Sequence, residues 1–161
     1  MDKKADRNNK VRFIVLIVLC VLLCEGWSHF IMDAKLEGPY DVTRVVDGDT
    51  IVVNIDGEDT KVRMIGIDTP ESVASDESRN TPEGVIASDY TKSILEGTKV
   101  YLEYDQELYD QYGRTLAYVF KEDKRTMIQE ELLAEGYARV MTVEPNTKYV
   151  KTFEALESKA K

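Results

Sequence analysis

The sequence predicts an α+β protein that is mainly β: a five-stranded barrel with three helices, preceded by a segment of a different kind. Three observations predict it. Five short runs rich in β-branched and aromatic residues are separated by turn signals. One helical pattern interrupts them after the third run, and two more follow the fifth. Residues 1–35 instead carry a basic stretch and an unbroken apolar run. At 161 residues the chain holds one domain, expected over 40–161.

The first segment reads as an export signal or membrane anchor. Lys3, Lys4, Arg7, Lys10 and Arg12 precede an apolar run over 13–24, followed by Glu25-Gly26-Trp27-Ser28. Twelve apolar residues span ~18 Å as a helix, short of the ~30 Å of a bilayer core. Two outcomes stay open. Cleavage after Ser28 is favoured by the small Gly26 and Ser28; retention requires the helix to run on to Met32. Either one puts the domain outside the cytoplasm, secreted or tethered to the membrane. Both cysteines, Cys20 and Cys24, lie in this segment, so the domain has no disulfide, thiolate metal site or catalytic cysteine.

The domain begins with a β-branched run over 42–46 that stops at the turn Asp47-Gly48-Asp49. Ile51, Val53 and Ile55 alternate as in a half-buried strand, and Asp56-Gly57 is a hairpin turn. Residues 61–67 return, and Pro70 ends the strand because proline cannot donate to the ladder. Thr81-Pro82-Glu83 starts a helix with a hydroxyl cap, an early proline and an acid at the positive end. Ile86, Tyr90 and Ile94 follow at four-residue spacing, and Gly97 ends that helix. Strands are expected over 99–104, with Val100, Leu102 and Tyr104 on one face, and over 115–120. Thr126 and Gln129 have capping-box spacing for a second helix ending at Gly136. A third begins near Asn146 and carries Val150, Phe153, Leu156 and Ala160. Three strands, a helix, two strands and two helices suit an oligonucleotide/oligosaccharide-binding (OB) barrel.

Four clusters carry the chemistry: Asp47-Gly48-Asp49-Thr50, Arg63, Asp68-Thr69-Pro70-Glu71 and Asp110-Gln111-Tyr112-Gly113-Arg114. Asp49, Asp68 and Glu71 are acids at strand ends, where a turn and a strand end of one meander can meet. Carboxylates with nearby carbonyls form a hard oxygen site, suited to Ca²⁺ or Mg²⁺ and poor for zinc. Arg63 and Arg114 offer planar forks for two oxygens of one phosphate. A divalent ion, two arginines and a spare acid are the parts needed to hydrolyse a phosphodiester. The one histidine, His29, lies in the export region, which leaves a carboxylate as general base.

In order and spacing, these clusters resemble the thermonuclease (staphylococcal-nuclease-like) family. That family is marked by Asp-Gly-Asp-Thr, an arginine five residues before Asp-Thr-Pro-Glu, and Tyr-Gly-Arg leading into a strand. The likeness continues through Leu116-Ala117-Tyr118 and Glu135-Gly136-Tyr137-Ala138. The resemblance implies that Asp49, Asp68 and the carbonyl of Thr69 hold Ca²⁺ and that Glu71 orients or activates water. It also implies that Arg63 and Arg114 hold the phosphate and stabilise its growing charge, and that Tyr112 touches substrate. The implied activity is calcium-dependent endonucleolytic hydrolysis of DNA and RNA by a monomer, breaking the 5′ P–O bond and leaving 3′-phosphate ends.

Charge sets one tension. The chain carries −9; residues 1–28 hold five of its 21 bases and three of its 30 acids, leaving 16 against 27, or −11, for the rest. Phosphate neutralisation drives nonspecific nucleic-acid binding, so an acidic chain grips polymer weakly. The loop after Glu71 holds Asp76 and Glu77 with only Arg79 basic, Gln111 stands where the family has lysine, and Met141 and Val143 stand where it has tyrosines. Weak binding with intact chemistry is expected. The alternatives are a catalytically inactive nuclease-like binding module, which usually lacks one of the acids or arginines, and a calcium-binding domain without substrate.

Overall fold

The computed structural model describes residues 35–72 and 81–160. The signal or anchor expected over 1–35 lies outside them, apart from Lys35. Ten elements follow in order: β1 (Glu37–Asp47), β2 (Thr50–Ile55), β3 (Glu58–Met64), β4 (Ile67–Asp68), α1 (Pro82–Leu95), β5 (Lys99–Glu103), β6 (Thr115–Lys121), α2 (Ile128–Ala134), β7 (Arg139–Val140) and α3 (Val150–Ala160).

Five strands close a barrel in the order β1-β2-β3-β6-β5. β1, β2 and β3 form a meander whose second turn has Asp56 and Gly57 at φ 51° and 93°, as the Asp-Gly pair predicts. β6 lies parallel to β3, with Arg63 opposite Leu116, and β5 pairs β1 to complete the ring. Val42, Val45, Ile51, Val53, Val62, Met64, Val100, Leu102, Ala117 and Val119 fill the interior. β1 is longer than the predicted 42–46 and is bulged at three register shifts, which let one strand bend through two pairings.

The predicted helices are present, with corrections. Thr81 caps α1, its Oγ1 accepting the Gly84 N–H at 3.0 Å. The buried face of α1 is Gly84, Ala87, Ser88, Thr91 and Leu95, while Ile86 is 55% exposed. Small residues let the helix sit close to the barrel, and this outweighs the apolar spacing through Ile86. The Thr126–Gln129 capping box does not form. Thr126 bonds Asp123, whereas the Gln129 amide is fully buried, accepting from the Val119 N–H and donating to the Ala117 carbonyl. It satisfies the Val119 N–H in the core and adds a second donor to the Ala117 carbonyl, which also accepts the Ile65 N–H at 3.1 Å. The third helix starts at Val150, because the buried Asn146 side chain exchanges two 2.8 Å bonds with the backbone of Glu107.

The run predicted as one strand over 61–67 breaks at Gly66, which has φ +81°, and resumes as β4 paired with β7. A Cβ on Gly66 would stand 2.7 Å from the ring of Phe153, the fully buried anchor of α3. Phe153 also packs on Tyr118 and Tyr149, both ring centroids 6.1 Å away. Phe153→Ala is expected to destabilise by about 3–5 kcal/mol with an unchanged denaturant m-value. A urea midpoint equal to that of the parent would show that α3 does not support the turn.

Candidate active site

One cleft, about 880 Å³, is lined by every residue singled out from the sequence: Asp49, Arg63, Asp68, Thr69, Glu71, Tyr112 and Arg114. They come together for local reasons. The two-residue turn from β1 to β2 carries Asp49, the outer face of β3 carries Arg63, and β4 runs into Asp68 and Thr69. The β5–β6 connection carries Tyr112 and Arg114.

Arg63 is the hub. Its Nη1 donates to the carbonyls of Met64 and Ile67 at 2.7 and 2.8 Å. Its Nη2 lies 3.1 Å from both Asp49 Oδ2 and Asp68 Oδ1. Each oxygen is 3.1 Å from the same nitrogen, so the two are at most 6.2 Å apart. Asp49 is buried and also accepts from the Thr50 hydroxyl at 3.0 Å and from the Thr69 N–H and hydroxyl at 2.9 and 3.1 Å. Burial pushes the Asp68 carboxyl up, the Asp49 carboxylate adds to that, and Arg63 and Arg139 oppose it.

Two carboxylates converging on one cationic group, beside the backbone of Thr69, suit a hard divalent ion, which takes oxygen ligands at about 2.3–2.6 Å. No cluster of three or more His, Cys, Asp or Glu side chains of metal-binding kind occurs among the described residues. The carboxylates that converge here are two, Asp49 and Asp68.

Arg114 is held differently. Its Nε donates to Asp110 Oδ2 at 2.6 Å, and Asp110 Oδ1 accepts the backbone N–H groups of Tyr112 and Arg114. Burial alone would raise the Asp110 carboxyl, but these bonds and the Arg114 charge lower it. The Nη groups of Arg114 make no hydrogen bond among the described residues, so the outer edge of the fork is open. Tyr112 is 76% exposed, with the Arg114 guanidinium 5.6 Å from its ring centroid.

Other residues brace the cleft, among them Asp47 and Asp110 from the clusters and Thr91 and Gly84 from outside them. Asp47 accepts the Gly48 N–H at 2.8 Å and the Ser72 hydroxyl at 2.6 Å, tying the first turn to the segment after β4. Thr91 of α1 donates to the Gly48 carbonyl at 2.8 Å. A Cβ on Gly84 would stand 2.2 Å from the Glu71 carbonyl oxygen, which also accepts the Thr81 N–H at 2.9 Å. Helix α1 is thus seated on the backbone of Glu71, whose residue lines the cleft. Only the Asp110–Arg114 pair carried a local signal, four residues apart; the Gly84 and Thr91 contacts join elements distant in sequence.

Comparison with known proteins agrees with this geometry. The profile of the family described as staphylococcal nuclease homologue matches residues 61–161. The thermonuclease of Staphylococcus intermedius is 46% identical over 150 residues, covering 91% of this chain and 87% of that protein. The thermonuclease of Staphylococcus hyicus is 47% identical, covering 77% of this chain and 72% of that protein. The SPbeta prophage-derived endonuclease YokF of Bacillus subtilis (strain 168) is 46% identical over 75% of this chain but only 41% of its own length.

Proposed function

The chain belongs to the staphylococcal nuclease family and is a nuclease, a hydrolase of nucleic-acid phosphodiester bonds, and from that premise we propose a calcium-dependent endonuclease whose cleft holds one phosphate between a metal ion and Arg114. The observation that carries this reading is the convergence of Asp49 and Asp68 on one cationic group, with the open edge of Arg114 lining the same cleft.

Asp49, Asp68 and the Thr69 carbonyl would hold the ion. Bound there, Ca²⁺ supplies a Lewis acid for a non-bridging phosphate oxygen. Glu71 takes a proton from the attacking water as its oxygen bonds to phosphorus. The 5′ P–O bond breaks, the 5′ oxygen takes up a proton from solvent, and the phosphate stays on the 3′ oxygen. Arg114, with Arg63 beside it, stabilises the charge that grows on the phosphate, an effect worth about 10²–10³-fold in rate for one donor. Tyr112 contacts the substrate at the cleft edge. DNA and RNA are both substrates. The protein acts as a monomer outside the cytoplasm, secreted or tethered through its first residues.

Digestion of DNA and RNA is expected to need calcium and to stop with chelator. Glu71→Gln is expected to lower kcat by about 10²–10⁴-fold, the range of general base catalysis. Chelator-resistant digestion overturns the metal assignment. Digestion that persists in Glu71→Gln combined with Arg114→Ala overturns the site.

A further inference from the structure

The cleft is lined by six acids, Asp47, Asp49, Asp68, Glu71, Glu107 and Asp110, and only three bases, Lys61, Arg63 and Arg114. Arg63 is paired with Asp49 and Asp68, and Arg114 with Asp110. Lys61 differs: it is exposed and makes no hydrogen bond or ion pair among the described residues. Side chains two apart on a strand share a face, so Lys61 stands on the same side of β3 as Arg63, about 7 Å along. Val62 between them points into the barrel.

The ladder extends this face outward. Lys61 pairs with Val52, and Val52 pairs with Arg44 on β1. The bulge between Val42 and Arg44 sends Val42 and Val45 into the core and leaves Arg44 on the outer face, exposed. Arg44, too, makes no ion pair among the described residues. Two strand spacings separate Arg44 from Lys61, about 10 Å. Two acids of this face have partners: Asp59 accepts the Thr43 hydroxyl at 3.4 Å and Asp41 pairs with Lys99 at 2.7 Å. On an otherwise acidic chain, two unpartnered cations thus lead in a row out of the cleft, starting beside Arg63.

We propose that Lys61 and Arg44 bind backbone phosphates of the single-stranded substrate next to the scissile one, as a polymer-specific grip on the outer face of β3, β2 and β1. The proposal rests on the nuclease reading above and gives it a path for the strand. Charge complementarity and continuity with the cleft select a polyanion; Val52, between the two cations in the ladder, is buried, so the contacts are made by the exposed cationic side chains and not by the strand surface between them. Lys61 is exposed, so its ammonium group stands in water, where it can exchange counterions for phosphate.

The test measures KM at several salt concentrations for a single-stranded oligonucleotide long enough to pass the cleft, and for a dinucleotide. Removing one phosphate contact lowers the slope of log KM against log salt by about 0.7, so the rise in KM between 50 and 200 mM salt shrinks about 2.6-fold. Lys61→Gln and Arg44→Gln are each expected to do this on the oligonucleotide, raising KM far more than they lower kcat. The double variant is expected to lose about twice the slope, and Lys61→Arg to keep it. Lys151→Gln on exposed α3 controls for net charge. An unchanged slope in both single variants overturns the proposal, as does an equal KM change on the dinucleotide, which would put Lys61 at the scissile phosphate. Parent protein that digests neither substrate fails the nuclease reading instead. The oligonucleotide's binding slope in chelator then still decides whether the row holds phosphate.

Discussion

Arg63→Ala is expected to lower kcat by about 10²–10³-fold and, independently, to destabilise the fold by roughly 3–5 kcal/mol. Both losses come from one side chain. Its guanidinium ties two carbonyls of the turn between β3 and β4 to two carboxylates, each within 3.1 Å. Alanine leaves the buried Asp49 carboxylate without its cationic partner and the Met64 and Ile67 carbonyls without their donor. An unpaired buried charge costs far more than the net worth of an intact pair. Arg63→Lys is expected to restore little, because a single ammonium cannot reproduce the planar fork that bridges carbonyls and carboxylates. Urea unfolding and digestion rates at saturating calcium separate the two effects. A variant of normal stability and normal kcat would show that Arg63 neither braces the turn nor acts on the phosphate.

Asp49→Asn is expected to raise the calcium concentration needed for half-maximal digestion by at least about 100-fold. Removing groups that only support metal ligands already costs 10–100-fold, and calcium affinity follows ligand charge. Asparagine is close in shape and can still accept one bond from the Thr69 N–H or the Thr50 hydroxyl. It removes one negative charge beside Arg63, so a stability loss of about 1–3 kcal/mol is expected with the fold retained. Isothermal titration with calcium, read beside the digestion curve, distinguishes lost metal binding from lost chemistry. Unchanged calcium affinity would remove Asp49 from the metal site.

Much of this was legible in the chain because the signals were local. Thr81-Pro82-Glu83 named the start of a helix, Asp56-Gly57 a hairpin, and Asp68-Thr69-Pro70-Glu71 the end of a strand, and each stands where its chemistry placed it. The candidate site was legible for the same reason, since its residues sit at turns and strand ends that the barrel closure brings together. What failed was what depends on partners remote in sequence. Gln129 had the spacing of a cap but is drawn into the barrel wall by the Ala117 carbonyl and the Val119 N–H. The buried face of α1 follows the close approach of Gly84 and Thr91 to the barrel, which no periodicity encodes. β4 and β7 are two residues each, too short to leave a pattern.

The seat of Phe153 against Gly66 has a consequence in time. Every acid and arginine of the cleft is polymerised before residue 150, yet the bend that sets Arg63 opposite Asp68 gets its aromatic brace only from the last eleven-residue helix. In a chain made from its first residue onward, the bend at Gly66 therefore exists for some time before the ring that packs against it has been added.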